Sequence, residues 1–153
     1  MEGNEFKHFL QAQEGVYDRV VQELTAGQKR SHWMWFIFPQ LSGLGRSEMA
    51  QRFGLQSLDE ARRYAAHLVL GPRLRQCARL VTQVRGRGIA EIFGFPDDLK
   101  FHSSMTLFAL AVPNDPFFGL ALEKYFGGKK DEKTLDLLAE SSPAETAVPG
   151  GKR

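Results

Sequence analysis

His32-Trp33-Met34-Trp35-Phe36-Ile37-Phe38-Pro39-Gln40-Leu41 is the stretch whose reading decides the fold. It holds both tryptophans of the chain and two of its 12 phenylalanines. It is too short to span a bilayer, so it must be buried against most of the other elements. Pro39 ends any helix within it, because the residue before a proline is pushed out of the helical region. The stretch runs straight into the glycine-bearing turn Ser42-Gly43-Leu44-Gly45. His32 and Gln40 stand at its two ends, where a polar side chain on an aromatic segment can point into a pocket.

Outward from this stretch the apolar spacing is helical. On the N-terminal side Phe6, Phe9 and Leu10, then Val16, Tyr17, Val20, Val21 and Leu24, recur at helical intervals with an interruption near Gly15. That predicts two helices, or one kinked helix, stopping at Gly27. Lys29 and Arg30 follow, where the helix macrodipole favours positive charge. On the C-terminal side, residues 47–53 form a short helix closed by Gly54. Ser57-Leu58-Asp59-Glu60 has the spacing of a capping box and opens a helix to about residue 67. Gly71-Pro72 restarts the chain into an amphipathic helix through Leu74, Ala78, Leu80, Val81 and Val84, up to Gly86.

Residues 89–93 make a helical turn before Gly94. Asp97 or Asp98 caps a helix bearing Leu99, Phe101, Met105, Leu107, Phe108 and Leu110. Asn114-Asp115-Pro116 starts another, carrying Phe117, Leu120, Leu122 and Phe126 and stopping at Gly127-Gly128. Asp131, or Lys133-Thr134, opens the last, with Leu135, Leu137 and Leu138. Apart from an ambiguity at 33–38, no period-two strand is found. The expected fold is all-α: a single compact multihelical domain of about six to eight helices over residues 1–140, then a polar, disordered tail at 141–153.

Composition narrows the function classes. The 153 residues are 42% hydrophobic and 25% charged, enough for one globular core. A formal net charge of +2 falls short of the excess expected of a dedicated nucleic-acid binder. One cysteine, Cys77, allows no internal disulfide, and it reads as a small packing residue. His8, His32, His67 and His102 lack metal-ligand spacing, so no metal and no cofactor is expected. The start of the chain lacks the basic and apolar segments of a signal peptide, and no apolar run is long enough for a membrane helix. The expectation is a cytoplasmic protein without a membrane partner.

Together, Ser31 to Gln40, Glu60-Ala61-Arg62, Gly71-Pro72-Arg73-Leu74, Lys100-Phe101-His102-Ser103-Ser104-Met105-Thr106-Leu107-Phe108, and Asp131 with Thr134-Leu135 resemble the bacterial domain-of-unknown-function 1810 family. The resemblance covers roughly residues 4–138. It implies a single all-α domain and no established activity. Members sometimes carry the label calpastatin. Such an inhibitor is a disordered repeat protein, whereas this chain is aromatic-rich, capped and free of internal repeats.

Four groups of residues carry candidate chemistry, each beside a plainer structural reading. Lys100, Ser103, Ser104 and Thr106 share a helix that is apolar nearly all round, so some of them are buried and need partners. The serines can bond their own helix backbone and Lys100 can pair with Asp97, or the group can face a ligand. His32, Trp33, Trp35 and Gln40 can wall a site that stacks a planar ring and bonds its edge, or simply form core. Ser42-Gly43-Leu44-Gly45-Arg46-Ser47 can hold a phosphate at a helix N-terminus, or be a turn. Arg62, Arg63, Arg73, Arg75, Arg79, Arg85 and Arg87 form a basic face that is solvated or meets an acidic partner.

Two functions fit these groups. One is a small-molecule pocket protein or enzyme for a nucleotide-like ligand, with His32, Trp33, Trp35, Gln40, Arg46, Lys100, Ser103 and Ser104 as ligand-binding candidates and Asp97, Asp98 or Asp131 as acid-base groups. A looser similarity, in helical character and aromatic content, to bacterial glycosidases of ADP-ribose-like nucleotides points this reading toward nucleotides. The other is a non-catalytic interaction domain that binds an acidic protein or nucleic acid through the arginine-bearing face.

Overall fold

The computed structural model describes residues 2–140, and every regular element among them is a helix; Leu41 and Leu55 alone form an isolated parallel bridge. In chain order these are α1 (Glu2–Glu5), α2 (Lys7–Gln13), α3 (Tyr17–Ala26), α4 (Met34–Ile37), α5 (Glu48–Phe53), α6 (Leu58–Ala66), α7 (Leu70–Gln83), α8 (Ile89–Phe93), α9 (Asp97–Ala111), α10 (Pro116–Phe126) and α11 (Glu132–Glu140). The all-α expectation therefore stands, but six to eight helices is too few. Seven of the helices have seven residues or more, and the excess comes from α1, α4, α5 and α8, each of four to six residues. Such pieces are too short to show a helical period in sequence. The tail expected at 141–153 lies outside the described residues.

Local chemistry explains most boundaries. Gly15 and Gly27 both take positive φ, separating α2 from α3 and closing α3. Ser47 Oγ accepts from the Ala50 N–H at the head of α5, and Ser57 Oγ accepts from Glu60 N–H at the head of α6. The capping box at Ser57 is not closed as expected, because the Glu60 carboxylate accepts from Gln56 N–H, one residue earlier. Asp115 caps α10 by accepting from Phe117 N–H, with Pro116 in the first turn. Neither Asp97 nor Asp98 is the residue that precedes α9; Pro96 holds that position, and Asp97 is the first helical residue.

The core is centred on α9. Phe101, Met105, Leu107 and Phe108 are fully buried, and the helix packs against α4, α6, α8, α10 and α11. The second axis is α7, which contacts α3, α4, α6 and α10. Its C-terminal carbonyls are held from α10: Lys124 Nζ donates to Thr82 and Val84, and Tyr125 Oη to Val81. The aromatic stretch supplies Trp33, Met34, Phe36, Ile37 and Phe38 to this core. Phe38 meets Phe93 and Phe101 edge to face, at 6.0 and 5.0 Å between ring centroids.

What seats this stretch is Glu23, a buried carboxylate on α3. Its Oε1 accepts from Arg30 N–H (2.8 Å), Ser31 N–H (3.1 Å) and the Trp33 indole N–H (2.9 Å), and its Oε2 from Ser31 Oγ (2.5 Å). Burial would raise this carboxyl, and an unpaired buried carboxylate would cost several kcal/mol. The four donors outweigh that and hold it down at about 2. Residues 28–33 are thus wound around one anion, which fixes the direction in which the aromatic stretch enters the core.

Two outcomes follow for stability. Glu23→Gln removes the charge from an acceptor of four hydrogen bonds and should cost on the order of 3 kcal/mol in urea denaturation at pH 7. The folded-state carboxyl lies at about 2, below its ordinary 4.5, so its contribution is fully present above about pH 4.5 and is lost as pH falls toward 2. The gap between wild type and variant should close across that window, and a gap independent of pH would contradict this account. At Gly71, a Cβ would lie 2.1 Å from the Ala65 carbonyl oxygen, where α6 and α7 approach. Gly71→Ala must push the two helices apart and should destabilise by about 1–3 kcal/mol or more, read from the urea midpoint.

Candidate functional site

Three segments distant in sequence enclose a cleft of about 550 Å³: the 40–45 loop, the first turns of α9, and the 129–133 turn that enters α11. The loop is pinned by the isolated bridge, with Ser42 N–H donating to Leu55 (2.7 Å) and Leu55 N–H to Gln40 (2.9 Å). Gly54 allows the close approach, since a Cβ there would lie 2.9 Å from Ser42 Cα. From the loop come Gln40 and Leu44; from α9 and the residue before it come Pro96, Leu99, Lys100, His102 and Ser103. The turn supplies Lys129, Lys130, Asp131, Glu132 and Lys133.

Lys100 is placed by two attractions. Its Nζ lies 4.9 Å from the centroid of the Trp35 ring and 3.6 Å from the Asp97 carboxylate. Asp97 is shared with Lys29, whose side chain is nearly buried and whose Nζ lies 2.8 Å from it, 5.2 Å from the Trp33 centroid. Lys29 therefore serves as a buried ion-pair partner between α3 and α9, beyond the macrodipole role expected of it. The result is a row of cation, anion and cation across both tryptophans, ending at the cleft.

The far wall is held by α9. His102 stacks on Phe126 at 3.9 Å and 5°, and its Nε2–H donates to the Lys129 carbonyl. Thr106 Oγ1 accepts from Asp131 N–H (2.8 Å). Asp131 caps α11: Oδ2 accepts from Thr134 N–H (3.0 Å), Thr134 Oγ1 (2.7 Å) and Ser103 Oγ (3.1 Å). The cleft carries an excess of positive charge: four lysines line it beside the carboxylates of Asp131 and Glu132, Lys129, Lys130 and Lys133 enter no ion pair among the described residues, and Lys100 is partly matched by Asp97.

The eight ligand-binding candidates divide. Gln40, Lys100 and Ser103 line the cleft, and Trp35 lies beneath Lys100. His32 is exposed and away from it. Trp33 is 1% exposed and spent on Glu23, so it offers no stacking face. Arg46 is exposed and does not line the cleft; its carbonyl accepts from Gln51 Nε2. The phosphate-holding reading of 42–47 gives way to the turn, since Ser47 itself fills the head of α5. Ser103 bonds the Leu99 carbonyl of its own helix (3.1 Å), as expected, but Ser104 does not: it is fully buried with no hydrogen-bond partner.

Sequence reasoning passed over Lys129, Lys130 and Lys133. The available signal was a run of lysines between Gly127-Gly128 and a helix start. Of the seven arginines, five are committed within the chain. Arg62 donates to the Ala111 carbonyl (3.0 Å), Arg63 pairs with Glu5 and Asp59, Arg73 donates to Gln13 (3.0 Å), Arg75 pairs with Asp115, and Arg87 donates to the Gly27 carbonyl (2.9 Å). Cys77 is buried, which pushes its thiol up to about 12 and removes it as a nucleophile at neutral pH. Among the described residues no three of His, Cys, Asp and Glu gather as a metal site, and no helix is long and apolar enough to cross a membrane.

Comparison with known proteins agrees with the resemblance read from the motifs. Residues 3–138 match the family described as "Protein of unknown function (DUF1810)". The crystal structure of the conserved hypothetical protein Rv1873 from Mycobacterium tuberculosis is similar at 57% sequence identity and a TM-score of 0.87, covering 88% of this chain and 96% of that one. No curated protein matches. The match spans nearly all of the described residues, and the chain belongs to the DUF1810 family of proteins of unknown function.

Proposed function

We propose that the protein binds a small, multiply charged anion of the nucleotide-like class in the cleft between the 40–45 loop, α9 and the 129–133 turn. One observation carries this reading: Lys100, Lys129, Lys130 and Lys133 converge on a single concavity of about 550 Å³. That volume lies within the range of small-molecule sites. Like charges gathered around a concavity repel one another, and an anion relieves that repulsion. Side by side with the cations, Leu44, Pro96 and Leu99 offer apolar surface, and the Gln40 side-chain amide has no partner among the described residues. Apolar walls with a free amide suit a planar ring with polar edges, and the lysines suit phosphates.

The geometry supports binding before chemistry. The carboxylates at the cleft are Asp131, engaged as the cap of α11 and as the acceptor of Ser103 Oγ, and Glu132 on the exposed first turn; among the described residues no histidine or lysine bonds a cleft hydroxyl as a general base would. The arginine-bearing face has less support, since of its seven arginines only Arg79 and Arg85 stand exposed without a partner among the described residues.

Thermal unfolding with ADP and with tripolyphosphate at low salt tests this. At about a hundred times the dissociation constant either should stabilise by about 2.7 kcal/mol, and the shift should shrink as salt rises. Lys130→Ala and Lys133→Ala, both at exposed positions, should each weaken binding roughly 10-fold without changing the helical circular dichroism. Absence of any shift, or a shift that survives both substitutions and disappears in Arg79→Ala with Arg85→Ala, would overturn the assignment.

A further inference from the structure

The cleft holds one group that a phosphate-binding surface alone does not explain. Asp131 stands between Lys130 and Lys133, yet its carboxylate enters no ion pair among the described residues. It is held from three sides through Oδ2, by Ser103 Oγ, Thr134 N–H and Thr134 Oγ1, while its main-chain N–H is fixed on Thr106. The second oxygen, Oδ1, takes no hydrogen bond. It is also not enclosed, since Ser104 Oγ is the one buried side-chain polar atom without a partner among the described residues. Asp131 thus lines the cleft with one carboxylate oxygen fixed by three hydrogen bonds and the other accessible, and no cleft lysine forms an ion pair with it among the described residues.

A carboxylate oxygen only accepts hydrogen bonds, and it repels phosphate. Its use to a ligand is to receive a hydroxyl or an amino hydrogen within reach of the bound phosphates. Among phosphate-bearing small molecules, the donors closest to the phosphates are the hydroxyls of the sugar. Resting on the reading of the cleft as an anion site, we infer that Asp131 Oδ1 receives the sugar hydroxyls of the ligand, so that the cleft selects a sugar-bearing phosphate such as a ribonucleotide over a bare polyphosphate or a deoxy analogue. Lysines then supply attraction and Asp131 supplies selection, since a ligand that covers the carboxylate without giving it a hydrogen bond loses affinity.

Isothermal titration of the full chain with ADP, 2′,3′-dideoxy-ADP and tripolyphosphate, using wild type and Asp131→Asn, decides the point. Wild type should prefer ADP to the dideoxy analogue by roughly 10-fold or more, the worth of a hydrogen bond to a charged acceptor. Asparagine also caps helices well, so the variant keeps α11. It should lose the preference while binding tripolyphosphate as tightly as wild type or tighter, because a negative charge has left the site. That opposite response separates a hydroxyl acceptor from a merely structural cap, whose loss would weaken all three. Equal binding of ADP and its dideoxy analogue by wild type overturns the inference and leaves the anion site standing, and this comparison needs no variant to fold. Failure of every anion to bind removes the cleft reading and the inference with it.

Discussion

One carboxylate sets the arrangement of the rest. Glu23 gathers two backbone N–H groups, a hydroxyl and an indole N–H from residues 30, 31 and 33. Helices end readily, but the chain after α3 must also turn back and deliver a bulky aromatic segment into the core at one angle. Apolar packing alone is non-directional and does not choose that angle. Hydrogen bonds to a buried charge do, because each lost donor leaves the carboxylate under-satisfied in a dry place. The same turn carries Lys29 to Asp97 at the start of α9, so the α3 end, the aromatic stretch and the central helix are tied by one continuous polar chain.

This chain ends at the cleft. Asp97 is shared between Lys29, which is almost enclosed, and Lys100, which is not. Trp35 lies under the Lys100 ammonium and also walls a small cavity beneath the 40–45 loop, with Gln40, Gly45, Ala50 and Phe53. The tryptophan thus sets the height of the loop and the position of the cation together. On the opposite wall, His102 and Thr106 of α9 hold the lysine-bearing turn by one hydrogen bond each. One wall is thus held by α9 and the other by the bridge to Leu55.

The legible parts of the fold are those in which cause and effect lie within one turn of chain. The Ser57 cap, the Asp115-Pro116 start and the Gly15 and Gly27 breaks follow from local backbone chemistry, and the sequence reading found them; Ser47 was placed inside its helix, where the structure makes it the cap. The site was legible only in part, for a geometrical reason. Trp33 and Trp35 read as one aromatic wall, yet residues two apart across a helical turn face different ways. Trp33 accordingly turns to Glu23 and Trp35 to Lys100. Glu23 gave no signal because two of its four donors are main-chain N–H groups, and its side-chain partners, Ser31 and Trp33, lie eight and ten residues on, beyond any helical spacing. Lys129, Lys130 and Lys133 could be seen as a basic run, but their convergence with Lys100 depends on the crossing of α9 and α11, a tertiary fact. Ser104 keeps a buried hydroxyl with no hydrogen-bond partner among the described residues.

In the proposed reading the cleft over Trp35 is where this protein meets an anionic ligand. The most direct measurement is a two-dimensional amide and indole nuclear magnetic resonance titration with ADP. Saturable shifts are expected at the Trp35 indole N–H, the Gln40 side-chain amide and the backbone amides of residues 129–133, with the Trp33 indole N–H, locked on Glu23, unmoved. Shifts confined to the α7 amides around Arg79 and Arg85, or a Trp33 resonance that moves while the 129–133 turn stays still, would contradict it.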